Sequence, residues 1–194
     1  MDKRSFIAAT ALGGLAVPAS ALAAGGKART PALLTVSGAI GKGNRGPVDA
    51  ALDQLMVKQK IAFDKAHAFE YSDLAALRVA TVKPTLEYDN KRHTLGGPLL
   101  VDVLKAAGAA DKDGTQLLMR AVDGYAPRIS LADARRYGLI VATHLDGKPM
   151  PLGGLGPLWA VYEPDRFPDM MAKPVSDRFA LCPWGCFHIE VQAA

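Results

Sequence analysis

The sequence predicts an α+β domain with a mixed β-sheet core and few short helices, and three local patterns carry that prediction. Gly97-Pro98-Leu99-Leu100-Val101-Asp102-Val103-Leu104-Lys105-Ala106-Ala107-Gly108 reads as one short amphipathic helix. Pro98 suits a first turn that can spare an N–H, Leu99, Leu100, Val103 and Leu104 share a face, and Gly108 supplies a left-handed cap. Asp123-Gly124 and Asp146-Gly147 read as tight turns between apolar strands, because glycine takes a positive φ without steric cost. Apolar and β-branched runs between such turns supply the sheet.

Taken in order, residues 1–23 read as an export signal. Lys3 and Arg4 form a positive start, Ile7 to Val17 an apolar stretch too short to span a bilayer, and Ala21-Leu22-Ala23 a small-residue cleavage site. Lys3-Arg4-Ser5-Phe6-Ile7 resembles a twin-arginine signal with Lys in the first arginine's place, so that route and the general secretory route both stay open. A buried N-terminal helix is the alternative. Residues 24–31 read as a flexible leader and 32–194 as one domain, periplasmic or secreted after cleavage near Ala23.

Within the domain, 33–37 reads as the first strand and 38–47, with four glycines, as a loop. Its Gly41-Lys42-Gly43-Asn44-Arg45-Gly46 run lacks the Gly-Lys-Ser/Thr ending of a phosphate cradle. Val48, Leu52, Leu55 and Met56 are compatible with a short helix, whereas 61–63 favours a strand. Ser72 is placed to cap a helix through Leu77, 78–83 alternates as a strand, and 86–95 reads as a hairpin turning at Asp89-Asn90-Lys91. Strands at 116–121, 128–131, 139–144, 158–161 and 187–191 complete the set. Pro164, Pro168 and Pro174 punctuate a long irregular segment after Tyr162, of the kind that either serves function or wraps a sheet edge.

The 194 residues are 49% hydrophobic, enough for one core. Loss of Asp2, Lys3 and Arg4 with the signal lowers the formal charge from +4 to +3. Basic and acidic residues are interspersed and no aromatic residues alternate with a basic stripe, which excludes nucleic acid as a partner. No later segment reaches membrane-spanning length without charge.

In order and spacing, the Gly-Pro-Leu-Leu helix, Asp123-Gly124-Tyr125, Asp146-Gly147-Lys148-Pro149-Met150, Gly156-Pro157-Leu158-Trp159, Ser176-Asp177-Arg178 and Ile189-Glu190-Val191 resemble the oxidoreductase molybdopterin-binding domain, the core of the sulfite oxidase family. The resemblance runs over about 74–191 and implies that fold in a small stand-alone exported form. It also implies molybdopterin as cofactor, with a cysteine thiolate on the molybdenum and basic side chains and backbone amides on the pterin phosphate. The thiolate belongs just after the strand preceding the Gly-Pro-Leu helix, where Ala80-Thr81-Val82-Lys83-Pro84-Thr85 holds no cysteine. Trp159 stands where active relatives often have arginine, and Phe167-Pro168-Asp169-Met170-Met171 replaces a phosphate-binding segment. The resulting expectation is an exported molybdopterin-dependent oxidoreductase-like protein without its metal-ligating thiolate and with no assignable catalytic residue. Two alternatives stay open: a non-catalytic periplasmic binding or accessory module on the same fold, or a thiol-redox or sensor protein using Cys182 and Cys186.

The resemblance makes Lys83, Lys91, Arg92 and His93 candidates to hold the pterin or another small anionic ligand, in a groove between the hairpin and the Gly-Pro-Leu helix. A solvated basic hairpin is the plainer reading. Arg178 is a further candidate, with anchoring of the long loop as its structural alternative. Cys182 and Cys186, in Leu181-Cys182-Pro183-Trp184-Gly185-Cys186, suit a local disulfide in an exported chain, with Pro183 and Gly185 allowing the turn. Two thiols without companion ligands make no metal site. The four histidines form no metal-type pair, and His144 and His188 read as hydrogen-bonded core or edge residues. Tyr125 and Trp159 read as core aromatics first and pocket walls second. A periplasmic protein partner completes the expectations.

Overall fold

The computed structural model describes residues 30–110 and 112–193. The expected signal at 1–23 and the leader up to residue 29 lie outside them. The first half contains β1 (Ala32–Gly38), α1 (Gln54–Lys58), β2 (Ala66–Glu70), α2 (Tyr71–Ala75), β3 (Val79–Val82), β4 (Leu95–Pro98) and α3 (Leu100–Ala106). Next come β5 (Gln116–Ala121), β6 (Arg128–Ser130), α4 (Leu131–Arg136), β7 (Ile140–Ala142), β8 (His144–Leu145), β9 (Lys148–Pro149) and β10 (Trp159–Val161). A 3₁₀ turn (Pro164–Arg166), the single-turn helices α5 (Pro168–Met171) and α6 (Val175–Arg178), and β11 (Cys186–Gln192) close the chain. The class is α+β, as the sequence predicts.

A five-stranded sheet runs in the order β2-β1-β11-β5-β6, beside a four-stranded sheet β3-β4-β8-β9 and a β10-β7 pair. β1 and β11 are parallel, with Thr35 opposite His188 and Val36 opposite Ile189, and the other strand pairings are antiparallel. Leu34, Thr35, Val36 and Ser37 are all buried, because both faces of the large sheet are covered. Register puts Leu34, Val36, Ile189, Val191, Leu117 and Met119 on the apolar face. The opposite face carries Thr35, Ser37, His188, Glu190 and Arg120, and the chain before β2 folds over it, with Phe63 stacked 6.1 Å from the His188 ring.

Two glycines allow strands to approach where any side chain would collide. A Cβ on Gly38 would lie 2.2 Å from the Val191 carbonyl oxygen, and one on Gly97 would lie 2.0 Å from that of Val141. At Gly97 the small sheets join: Thr143 N–H donates to Gly96, and Leu100 N–H to Leu139.

Local signals and tertiary pairing divide the outcome. Gly108, at φ +77, ends α3 as expected, its N–H donating to Lys105 and that of Ala109 to Leu104, the paired bonds of a Schellman cap. Asp146 and Gly147 both take positive φ in the β8–β9 hairpin. Pro98, expected in the first helical turn, instead closes β4 opposite Val79, and α3 starts at Leu100. Ser72 lies inside α2, whose cap is a box between Glu70 and Asp73, with the Glu70 N–H donating to the Asp73 carboxylate at 2.9 Å. The strand expected at 61–63 is a loop, because that segment crosses a sheet face; the edge strand is β2. Arg135 and Arg136 belong to α4, capped by the Ser130 hydroxyl.

Gly97→Ala is expected to destabilise the fold by about 1–3 kcal/mol through overpacking against β7. Gly46→Ala, with nothing within 4 Å of the added carbon, is expected to stay within about 0.5 kcal/mol of wild type. Urea unfolding of both variants checks the pair.

Candidate functional site

The basic hairpin is built by long-range carboxylates. Glu163 accepts from the Lys83 backbone N–H at 3.1 Å, and Asp165 accepts from both the N–H and the hydroxyl of Thr85 at 2.8 and 2.7 Å. Arg92 donates twice to the Lys83 carbonyl and once to Glu163, at 3.0 to 3.1 Å. His93 lies between two carboxylates, with Nδ1 2.6 Å from Asp146 and Nε2 2.9 Å from Asp89. Lys83 and Lys91 are exposed. The structure therefore brings four of the five candidate cations together, and engages Arg92 and His93 within the protein. Arg178 lies apart on α6, where its guanidinium donates to the Lys173 and Met171 carbonyls and holds the α5–α6 turn. The first N–H of α3 is bonded to Leu139, so the residue leading into β7 already uses that helix start.

Both ring nitrogens of His93 face carboxylate oxygens, a geometry that suits the imidazolium. The hydrogen bond to Asp146, then that to Asp89, hold its pKa above the ordinary histidine value. Asp146 is held low, chiefly by the Thr94 N–H and then by His93, and Asp89 chiefly by His93 and then by the Lys91 N–H.

At the tip of the same hairpin is a cavity of about 740 Å³, lined by Tyr88, Val122, Leu152, Gly153, Gly154, Leu155, Gly156 and Trp184. Among the described residues no cation, carboxylate or thiol lines it. Burial, then Glu87, pushes the Tyr88 phenol up to about 12, so it is a neutral wall at physiological pH. Trp184 is held by backbone: it bridges to Trp159, Pro183 accepts from the Ala160 N–H at 3.2 Å, and Gly185 donates to Leu155 at 3.3 Å. Sequence reasoning missed Tyr88 and Trp184 as pocket residues. The cavity assembles from four separate segments, and no local pattern marks such a convergence.

The expected disulfide is not formed: Cys182 and Cys186 are free and buried. The turn imagined between them is replaced by pairing along β10, with Pro183 accepting from Ala160 and the Cys186 N–H donating to Leu158. Burial pushes the Cys182 thiol far up and that of Cys186 to about 12, which leaves both as thiols rather than nucleophilic thiolates.

A second polar cluster resembles catalytic machinery and is not. Ser37 Oγ is 2.9 Å from His188 Nε2, while an Arg120 N–H points at Nδ1 over 3.4 Å. Arginine can only donate, so Nδ1 is the lone-pair nitrogen and Nε2–H donates to the serine oxygen. The imidazole cannot take the serine proton in that tautomer. Burial first, then Arg120, lowers the His188 pKa to about 4, keeping the ring neutral. Arg120 is itself paired with Glu190 at 3.0 Å.

The molybdopterin that the sequence resemblance implies does not fit these residues. Residues 82–85 offer a buried proline and backbone donors already bonded to Glu163 and Asp165 in place of a thiolate. The buried Cys182 thiol receives the Tyr162 backbone N–H and is strongly protonated. The described residues include no group of three side chains able to hold a metal ion.

Two outcomes are expected. His93 carries a raised folded pKa, so its clamp contributes fully below the unfolded value of about 6.5 and fades as pH rises through the folded value. Asp89 and Asp146, held low, contribute above about 3.9 and fade as pH falls through their folded values. Denaturation of His93→Gln between pH 5 and 9 should therefore lose the alkaline decline attributable to this group; an unchanged profile would remove the clamp. Secondly, alkylation and mass spectrometry should leave both cysteines unlabelled in native protein and label both after unfolding without reductant.

No protein-family model matches the chain, and no curated protein matches it. Among solved structures it is similar to the sulfane dehydrogenase SoxCD from Paracoccus pantotrophus, at a TM-score of 0.52 and 11% identity. The likeness covers 82% of this chain and 37% of that one, so the chain spans little more than a third of its neighbour. No helix among the described residues is long and apolar enough to cross a membrane. The strand order, the few short helices and this neighbour together give the chain an α+β, sulfite-oxidase-like fold.

Proposed function

We propose that the chain is an exported, non-catalytic binding module on the sulfite-oxidase-like fold, taking a small ligand with an apolar body in the Tyr88–Trp184 cavity. The apolar lining carries this reading: about 740 Å³ bounded by aromatic, aliphatic and glycine residues, a size and character typical of small-molecule sites. The absent thiolate and the occupied 82–85 loop argue against a molybdopterin oxidoreductase, for which the fold likeness is the remaining support. Complete burial and protonation of both cysteines weigh against a thiol-redox protein. The signal-like pattern of residues 1–23 in the sequence supports a periplasmic setting.

Protein exported from a host that makes molybdopterin is expected to contain substoichiometric molybdenum and to oxidise no sulfite. Near-equimolar metal with a pterin signature would overturn the reading. Titration with the neutral probe N-phenyl-1-naphthylamine should enhance its emission. Leu155→Lys should weaken that binding by roughly tenfold or more, about 1.4 kcal/mol. A probe that does not bind the wild-type protein would refute the apolar site.

A further inference from the structure

Beside the Tyr88–Trp184 cavity is a second depression of about 570 Å³, whose walls include Leu145, Pro149, Met150 and Lys148. The two share Gly154 and Leu155, so they meet over the loop 151–156. No side chain stands on that crossing at Gly154, where a Cβ would meet only Pro151, at 3.7 Å or more. Leu152, at the margin of the first cavity, is 72% exposed and offers apolar surface that a ligand on the crossing would cover.

The charges at the far end are unequal in their engagement. Asp146 also lines the second depression, but its carboxylate oxygens are held by His93 and the Thr94 N–H. Lys148 is exposed on β9 and makes no ion pair among the described residues. Of the two adjoining depressions, one therefore carries a free ammonium, and the other carries aromatic walls without charge. Complementarity then sets the occupant: an apolar chain with a single anionic head.

We infer that the ligand is an amphiphile of the fatty-acid class, its chain crossing Gly154 into the Tyr88–Trp184 cavity and its carboxylate meeting Lys148. The inference rests on the binding-module reading and adds the ligand's polarity and direction. A lysine ammonium suits this head group because it acts as a compact point charge on a flexible stem, without the fixed fork that planar bidentate recognition requires. The pairing is exposed, so its contribution to affinity falls with ionic strength.

Displacement of N-phenyl-1-naphthylamine tests it, using dodecanoate and dodecylamine below their micelle concentrations at low salt. Dodecanoate is expected to displace the probe at concentrations at least fivefold below those of dodecylamine. Lys148→Met should abolish that preference while leaving the probe's own affinity unchanged, since the probe carries no charge. Gly154→Val, whose Cβ meets ordinary contacts in the free protein, should weaken dodecanoate more than the probe. Equal displacement by the two amphiphiles, or a preference that survives Lys148→Met, would overturn the inference while probe binding left the module reading standing. Failure of the probe to bind would overturn both. Stable self-association that excludes the probe would assign the track to a second copy and overturn the amphiphile.

Discussion

Insertion of β11 between β1 and β5 is the constraint on which the remaining structure depends. It is the parallel partner of β1 and the antiparallel partner of β5, and without it the large sheet separates into two pieces. The fit is close enough that Gly38 must lack a side chain where it meets Val191. It is also chemically specific, because the polar face of the joint is satisfied only when Ser37, Arg120, His188 and Glu190 meet. A buried network of this kind stabilises one register when all its members are paired, and penalises every register that leaves one unpaired.

That joint also orders the other end of the molecule. The residues that lead into β11, from Cys182 to Gly185, pair along β10, present Trp184 to the cavity and bury both thiols. The proline-punctuated segment between β10 and β11 wraps the hairpin, its Glu163 and Asp165 holding residues 83–85. Tyr162 donates to the Arg178 carbonyl at 2.7 Å, and Tyr137 packs 4.9 Å from both Tyr162 and Phe167. Of the two roles such a segment suggests, the wrapping one is visible here. Its carboxylates take the backbone donors of the loop where the sequence resemblance leads one to expect a thiolate.

Much of the fold was legible because its signals are local. Gly108 needs only a left-handed cap, Asp146-Gly147 only a two-residue hairpin, and β5 and β11 show as apolar runs of strand length. What failed depends on distant partners. Ile61 to Phe63 has strand composition but is drawn across a sheet face, and Pro98 is claimed by pairing with β3. The basic hairpin was visible as composition, whereas the engagement of Arg92 depends on Glu163, 71 residues away. Cys182 and Cys186 looked bridgeable because their spacing permits a turn, but spacing cannot reveal that β10 recruits the residues between them. The cavity was the least legible feature, since Tyr88, Val122, Leu155 and Trp184 meet only after the sheets have packed.

The central position of β11 also bears on how the chain reaches this state. Ser37 and His188 are 151 residues apart, so the pairing at the middle of the sheet closes almost the longest loop available. Contacts of such separation slow folding, because chain entropy is lost before the contacts repay it. Until β11 arrives, β1 and β5 each present an open strand edge, β1 with Leu34 and Val36 and β5 with the apolar run Leu117-Leu118-Met119. Such edges are templates for pairing with other chains. The strand that completes the native sheet is thus also the one that closes both of these edges, and the interval before it docks leaves them open to pairing with other chains.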